Sequence, residues 1–167
     1  RVLTIINRNF DRKIPSAADL DEVDRLIREK ADSAMDEVAK SLERCRFREG
    51  IGKAMMLATE CNRYIDLKAP WKTAKEDPIT CGTTLNTAVY VLSALKTMFS
   101  PYLPHSSESL HRLFGLVDSL SDHGWSVVPP EPGTTIKEPT PLFKKLDDSI
   151  VEEERNRLEN QRAMNQF

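Results

Sequence analysis

Glycine and cysteine are scarce in this sequence, and long hydrophobic runs are missing. The 167 residues include only 6 glycines and 3 cysteines. The cysteines are odd in number, far apart and form no CxxC pair, which excludes a disulfide framework and a cysteine zinc cluster. No apolar run approaches the roughly 18 residues that span a bilayer, and the first residues lack the pattern of a signal peptide. We therefore expect a cytoplasmic protein without a membrane partner, with Cys45, Cys61 and Cys81 in helix cores.

Neither sign of charge dominates. The formal net charge of -2 provides no general attraction to phosphate. Any nucleic-acid binding must therefore be local, and DNA is not expected as a partner. With 40% apolar and 30% charged residues, the composition is typical of a soluble, helical, globular chain. A chain of this length buries about 70% of its unfolded surface, which is enough for one domain with a core.

Six segments carry apolar residues at helical spacing. They lie at 1–9, about 17–44, about 47–68, 78–100, from Pro104 to about Gly115, and 149–164. The first has no start signal, so we expect it to be the end of a helix that begins in a longer chain. Ser16 with Asp19 resembles a capping box, and Asp77 before Pro78 marks another helix start. No segment shows the alternation of apolar and polar residues that is typical of β-hairpins. The sequence therefore predicts an all-α fold, an antiparallel helix bundle of about five helices.

Helical spacing is lost between 116 and 143, where five of the ten prolines lie. Proline removes a backbone donor and ends regular helices, so this segment is expected to be an extended loop. We expect side chains to hold it to the bundle, with Trp125, Leu142 and Phe143 as the anchors.

The last helix is strongly charged and has few apolar residues. Ser149 with Glu152 repeats the capping signal at its start. So thin an apolar stripe is typical of an edge helix or of one that contacts another domain. The predicted organisation is a bundle at 1–146 and a C-terminal helix at 147–167.

No arrangement of catalytic residues is evident. The sequence has no glycine-rich phosphate loop. Its histidines, His105, His111 and His123, are not spaced to share one helix face for metal binding. We therefore predict no catalytic residues, no metal site and no cofactor in this chain, which alone should not be an enzyme.

The segment NRYIDLKAPWKTAKEDP at 62–78 is the most informative one, because a long helix ends there at a Pro-Trp pair. Trp71 could present its ring to an unpaired nucleobase, and such a stack contributes roughly 1 to 3 kcal/mol. Alternatively, the ring fills the end of the bundle core. The nearby cations could likewise contact phosphates or form a solvated helix face; they are Arg63, Lys68, Lys72 and Lys75.

Arg1 is the second candidate for RNA contact. A guanidinium has a planar set of donors that suits a base edge or a phosphate. The alternative is a mobile side chain at the chain end.

Four segments together resemble the C-terminal anticodon-binding helical domain of methionyl-tRNA synthetase, a class I aminoacyl-tRNA synthetase. They are RVLTIINRNFD at 1–11, NRYIDLKAPW at 62–71, LSALKTMFSPYLPHSSESLHRLFG at 92–115, and a tryptophan loop from Trp125 that ends in PTPLFKKL. The Ala-Pro-Trp segment occurs in weaker form in relatives that charge isoleucine, valine, leucine or cysteine. The late Pro-Leu-Phe after a tryptophan loop points to the methionyl branch.

The resemblance implies roles for three residues. Trp71 would stack on the first anticodon base, Pro70 would set its backbone, and Arg1 would read anticodon base edges. The implied partners are the tRNA anticodon loop and the catalytic domain of the same polypeptide. The parent would be a methionine-tRNA ligase that attaches methionine to tRNA with ATP.

The catalytic motifs of that family are absent from this sequence, so the chain alone is expected to be inactive. ATP and methionine would bind the catalytic domain that this chain lacks, and the C-terminal helix would pack on the bundle or toward that domain. Two alternatives remain open at this point. One is a helical protein-interaction module that binds through residues 148–166, and the other is the anticodon domain of a sister synthetase for isoleucine, valine, leucine or cysteine.

Overall fold

The computed structural model describes residues 1–143, 147 and 149–164, with side chains described as far as 161. Seven α-helices lie in these residues, together with a 3-10 turn at Leu120–His123. The helices are α1 (Val2–Asn9), α2 (Glu22–Glu43), α3 (Phe47–Lys68), α4 (Pro70–Glu76), α5 (Pro78–Phe99), α6 (Pro104–Leu113) and α7 (Ser149–Met164). The prediction of an all-α helix bundle is confirmed, and the short helix α4 is the element that the sequence pattern did not indicate.

Helix α5 lies at the centre of the bundle. It packs against α1, α2, α3, α4 and α6, and its side chains are buried on nearly all sides between Cys81 and Met98. A helix that is apolar around its whole circumference has to be buried, which explains its central place. The apolar faces of α2 and α3 close the core around it.

Helix α2 begins five residues later than its pattern suggested, and the expected capping box at Ser16 is wrong. Asp21 is the N-cap, and its side chain accepts a hydrogen bond from the Asp24 amide while Asp24 accepts one from the Asp21 amide. The residues before Asp21 are tied to α5 instead, since the Ala18 amide donates to Thr83 Oγ1 at 3.0 Å.

A buried polar cluster joins α2 to the end of α3. The carboxylate of Asp24, only 2% exposed, accepts a hydrogen bond of 2.7 Å from the Tyr64 hydroxyl. The ammonium of Lys68 lies 2.8 Å from the same carboxylate oxygen. Burial and the neighbouring Asp24 raise the pKa of Tyr64, so its hydroxyl stays protonated and donates. Because a buried charge without partners is costly, this cluster fixes the relative position of the two helices.

Tyr64→Phe should lower the free energy of unfolding by about 2 kcal/mol, because it removes one donor from a buried carboxylate. Urea denaturation measures the change. Tyr90→Phe is the matched control, since the Tyr90 hydroxyl also donates to a carboxylate, Asp32 at 2.6 Å, but in an exposed position. That control should cost at most about 1 kcal/mol. Equal losses in the two variants would contradict the role assigned to burial.

The proline-rich segment is held by its backbone more than by the side chains that were expected to anchor it. Ile14 donates to the Thr134 carbonyl at 2.9 Å, and Ile136 donates to the Arg12 carbonyl at 2.8 Å. Lys13 and Thr135 form an isolated β-bridge between these contacts. The completely buried Ile136 side chain is the main apolar anchor.

Of the expected anchors, Trp125 contacts α2 through a hydrogen bond of 3.2 Å from its indole nitrogen to the Met35 carbonyl. Leu142 is 36% exposed and Phe143 is 63% exposed, so the expectation for Phe143 is wrong. Apolar character alone did not show which side chains of this segment reach the core, because the segment has no regular period.

Gly115 lies just after the end of α6, where that helix meets the proline-rich segment. Its φ of +84° belongs to the left-handed region that favours glycine. A Cβ at this position would lie within van der Waals overlap of the Thr135 carbonyl oxygen. Close approach of two backbones therefore requires glycine here.

The cysteines do not share one environment. Cys61 and Cys81 are buried as expected, but Cys45 is exposed and has a φ of +56° between α2 and α3, so the expectation for Cys45 is wrong. Burial raises the pKa of the Cys61 thiol to about 11 and also raises the pKa of Cys81. Because the thiolate is the reactive form, both buried thiols should be inert in the folded chain.

A thiol-reactive disulfide reagent at pH 8 should therefore modify one cysteine quickly in the native chain and all three after unfolding in urea. Absorbance of the released thiolate counts the modified groups. Cys45→Ser should abolish the fast phase. Fast labelling that survives this substitution would show that the helix core opens.

Helix α7 begins at Ser149, and the Asp147 side chain accepts a hydrogen bond of 3.1 Å from the Ser149 amide. Ser149 is thus inside the helix, and the Ser149 capping signal is wrong. Every described side chain from 151 to 161 is exposed. Within the described residues, none of the helices combines the length and the apolar character that crossing a membrane would require.

Candidate nucleic-acid interface

The candidate interface lies at the corner between α3 and α4. Helix α3 ends at Lys68 because Ala69 adopts the left-handed conformation, with a φ of +44°. Pro70 then begins α4, where its missing N–H costs nothing and its fixed φ suits a first helical turn. Pro70 therefore ends one helix, as predicted, and also starts another. The side chain of Pro70 is buried, so this residue sets the backbone of the corner.

Trp71 is the second residue of α4, and its side chain points away from the core. It is 43% exposed. The alternative in which this ring fills the end of the bundle core is therefore wrong. An exposed indole held on a rigid helical corner has a surface on which another flat ring can stack.

Arg1 lies beside this ring. Its guanidinium carbon is 5.2 Å from the centroid of the Trp71 ring, within the range of a cation-π interaction. Its Nη2 donates to Asp66 Oδ1 at 3.1 Å, and both side chains of this ion pair are 61% exposed. The N-cap residue of α1 and one side chain each of α3 and α4 thus form a group that we call the Trp71 cluster, which consists of Arg1, Asp66 and Trp71.

The four cations near Trp71 do not form a phosphate-binding patch. Lys68 belongs to the buried cluster with Asp24, and Arg63 forms an ion pair of 2.7 Å with Glu60. Lys72 and Lys75 on α4 are exposed, and the described part of the chain shows no ion pair for either. Of these four cations, Lys72 and Lys75 are therefore the ones that lie exposed and without an ion pair among the described residues.

A cleft of about 590 Å³ opens next to Arg1. Its walls are mostly apolar and include residues from α1, α3, α5, α6 and the end of the proline-rich segment, among them Val2, Ile65, Leu92, Leu110, Leu113 and Pro141. Asn62 contributes an amide to the same cleft. The cleft therefore lies next to the Trp71 cluster and is lined by only a few polar groups.

Sequence reasoning missed Asp66 and Asn62. For Asp66, the available signal was its position at the end of α3, which places it near any side chain at the following corner. Its pairing with Arg1 joins two distant positions of the chain, which sequence spacing does not show.

Comparison with known proteins shows the family of this chain. Residues 24–165 match the family model described as the anticodon-binding domain of tRNA ligase. This chain belongs to that family. A methionine-tRNA ligase of Pyrococcus abyssi is 39% identical over 152 residues, which cover 90% of this chain and 21% of that enzyme. A methionine-tRNA ligase of Dehalococcoides mccartyi is 45% identical over 130 residues, 78% of this chain and 24% of that enzyme.

Solved structures share the fold. The apo form of the methionyl-tRNA synthetase of Mycobacterium tuberculosis superposes with a TM-score of 0.80 at 21% identity and covers 88% of this chain and 30% of that one. The resemblance to the anticodon-binding domain of methionyl-tRNA synthetase is confirmed. The chain spans between about a fifth and a quarter of the length of the Pyrococcus and Dehalococcoides relatives it matches.

Asp66→Asn should change the free energy of unfolding by less than about 1 kcal/mol, because exposed ion pairs contribute little to stability. Asp24→Asn is the matched control in a buried position and should cost about 3 kcal/mol. Urea denaturation of both variants makes the comparison. A large loss for Asp66→Asn would show that this residue holds the fold together and does not mainly orient Arg1.

Proposed function

We propose that this chain is the anticodon-recognition domain of a methionine-tRNA ligase and that the Trp71 cluster contacts the anticodon loop. The exposed indole beside an arginine is the observation that carries the proposal. Proteins that read single-stranded RNA stack unpaired bases on aromatic rings and bond their edges with nearby polar groups. In this proposal Trp71 stacks on a base, Pro70 holds the backbone of the corner, and Arg1 bonds base edges.

The ion pair with Asp66 holds the guanidinium of Arg1 in one orientation. A guanidinium has five N–H donors, and the contact with Asp66 occupies only part of them. The remaining donors can bond acceptors on a base edge. The Asp66 carboxylate can accept a hydrogen bond from an exocyclic amino group, such as that of cytosine. The cluster thus combines donors and an acceptor next to one stacking surface.

The net charge of -2 fits local recognition. Reading by stacking and base-edge hydrogen bonds needs few phosphate contacts. With Lys72 and Lys75 as the nearest unpaired cations in the described residues, about one to three phosphates would be neutralised. The slope of log K against log salt should then be no steeper than about -2 for a single-stranded loop.

Trp71→Ala should weaken binding of an anticodon stem-loop with the anticodon CAU by about 1 to 3 kcal/mol, or roughly 5- to 150-fold. Fluorescence anisotropy of a labelled stem-loop measures the affinity, and circular dichroism checks the fold. Trp125→Ala is the matched control, because Trp125 is 38% exposed but contacts α2 at Met35. The control should bind RNA like the parent chain.

Unchanged affinity in Trp71→Ala with an intact fold would overturn the stacking role. A stem-loop of different anticodon sequence tests specificity in the same assay. If no stem-loop binds and residues 148–166 capture a polypeptide instead, the chain is a protein-interaction module.

The parent activity follows from the same proposal. The parent would attach methionine to tRNA with ATP, which would bind a catalytic domain that this chain does not contain, so the chain alone would be inactive. The named relatives are methionine-tRNA ligases, which favours methionine over the sister amino acids. Aminoacylation of tRNA by a longer polypeptide that includes this chain, assayed with each amino acid, distinguishes these specificities.

A further inference from the structure

A second cluster of polar side chains lies away from the Trp71 cluster, where α6 meets the segment that follows it. The turn after Gly115 brings together His111 of α6, Asp118 of the connecting loop and His123 of the 3-10 turn. His111 Nε2 is 3.1 Å from Asp118 Oδ1, and His123 Nε2 is 2.7 Å from Asp118 Oδ2. The two histidines need no shared helix face, because the chain reverses between them.

The spacing of these three groups suits a transition metal. One candidate ligand atom from each residue lies within 4.8 Å of the other two. A tetrahedral Zn²⁺ with bonds of about 2.0 to 2.1 Å places its ligand atoms about 3.3 Å apart, so the two contacts of Asp118 with the histidines, at 3.1 and 2.7 Å, have to lengthen by a few tenths of an ångström. Two imidazoles and one carboxylate form a donor set that Zn²⁺ binds well and that Mg²⁺ and Ca²⁺ do not prefer.

The surroundings differ between the two histidines. The His111 ring is completely buried, and its Nδ1 lies 3.1 Å from the Lys96 ammonium nitrogen. Because an ammonium only donates, Nδ1 accepts in this contact and Nε2 carries the ring proton. A metal at Nε2 therefore moves that proton to Nδ1, and the Lys96 ammonium has to release this contact while it keeps the one to the Val128 carbonyl. The Nε2 atom of His123 is shielded from solvent, and its close partner is the Asp118 carboxylate at 2.7 Å.

Access to the cluster is through Asp118, whose side chain is 45% exposed, while the His123 side chain is 25% exposed. A metal ion can therefore enter from solvent without unfolding the bundle. The three protein ligands leave a fourth position for a water molecule.

We propose that His111, Asp118 and His123 form a zinc-binding site that fastens the proline-rich segment to α6. The ligands come from three successive elements of the chain, so one ion would link α6, the loop and the 3-10 turn. The same segment is tied to α5 by Lys96, which donates to the Val128 carbonyl at 2.9 Å, and to α2 by Trp125. The ion would add a further attachment at the start of this segment.

Lys96 also limits which cations can bind. Its Nζ lies 3.1 Å from His111 Nδ1, so the positive charge of Lys96 repels a cation that binds at Nε2 of the same ring. Ions that form strong bonds to imidazole can overcome this repulsion, whereas weakly bonding ions cannot. Selectivity for Zn²⁺ and Co²⁺ over Mg²⁺ is therefore expected.

The test uses the 167-residue chain freed of metal with a chelator, in a Cys45→Ser background that removes the exposed thiol. Co²⁺ is titrated while its visible d–d absorption is recorded, and Zn²⁺ is then added to displace it. Thermal melting is followed with and without Zn²⁺. Asp118→Asn and His123→Gln alter the two accessible ligands and leave the buried His111 in place. The exposed His105, changed to Gln, is the matched control outside the cluster.

We expect a d–d band that Zn²⁺ abolishes, and a melting temperature that rises with Zn²⁺ but not with Mg²⁺. Either ligand variant should bind Co²⁺ at least about tenfold more weakly, and His105→Gln should bind like the parent. Absence of the band, equal binding by the ligand variants, or loss of binding in His105→Gln would overturn the proposal. These readouts do not involve RNA, so the result is independent of the proposed function.

Discussion

The carboxylate of Asp24 is the constraint on which the position of the candidate RNA interface depends. It is buried between α2 and α3, and the Tyr64 hydroxyl, the Lys68 ammonium and the Asp21 amide make that burial tolerable. Lys68 is the last residue of α3, two residues before Pro70. The cluster that satisfies Asp24 therefore also fixes the point at which α3 ends and from which Trp71 is presented.

The interface itself contributes little to the stability of the fold. Its ion pair is exposed, its indole is partly exposed, and its charges nearly cancel. This division is typical of binding sites, in which a rigid scaffold holds a small number of exposed groups in place. In the proposed function, a nearly neutral chain recognises RNA through a local cluster, without the basic surface that phosphate-tracking proteins require.

The regular parts of the fold could be predicted because their apolar residues recur with a helical period. Helix α3 begins and ends where its pattern indicated, and Asp77 caps α5 as expected, with its side chain accepting a hydrogen bond from the Thr80 amide. The predicted start of α2 was wrong because two neighbouring pairs of residues could both form a capping box. Asp21 and Asp24 formed the capping box in place of Ser16 and Asp19, because the residues before Asp21 bond to α5.

Residue types and helical spacing were enough to determine the helix bundle, the corner at Pro70 and the candidacy of Trp71 and Arg1. Tertiary structure alone decided that Asp66 orients Arg1, that the backbone holds the proline-rich segment, and that His111, Asp118 and His123 lie together. The physical reason is that helical periodicity reports which face of one segment is apolar. Contacts between distant segments depend on how those faces pack and where the chain turns, and no local pattern records either.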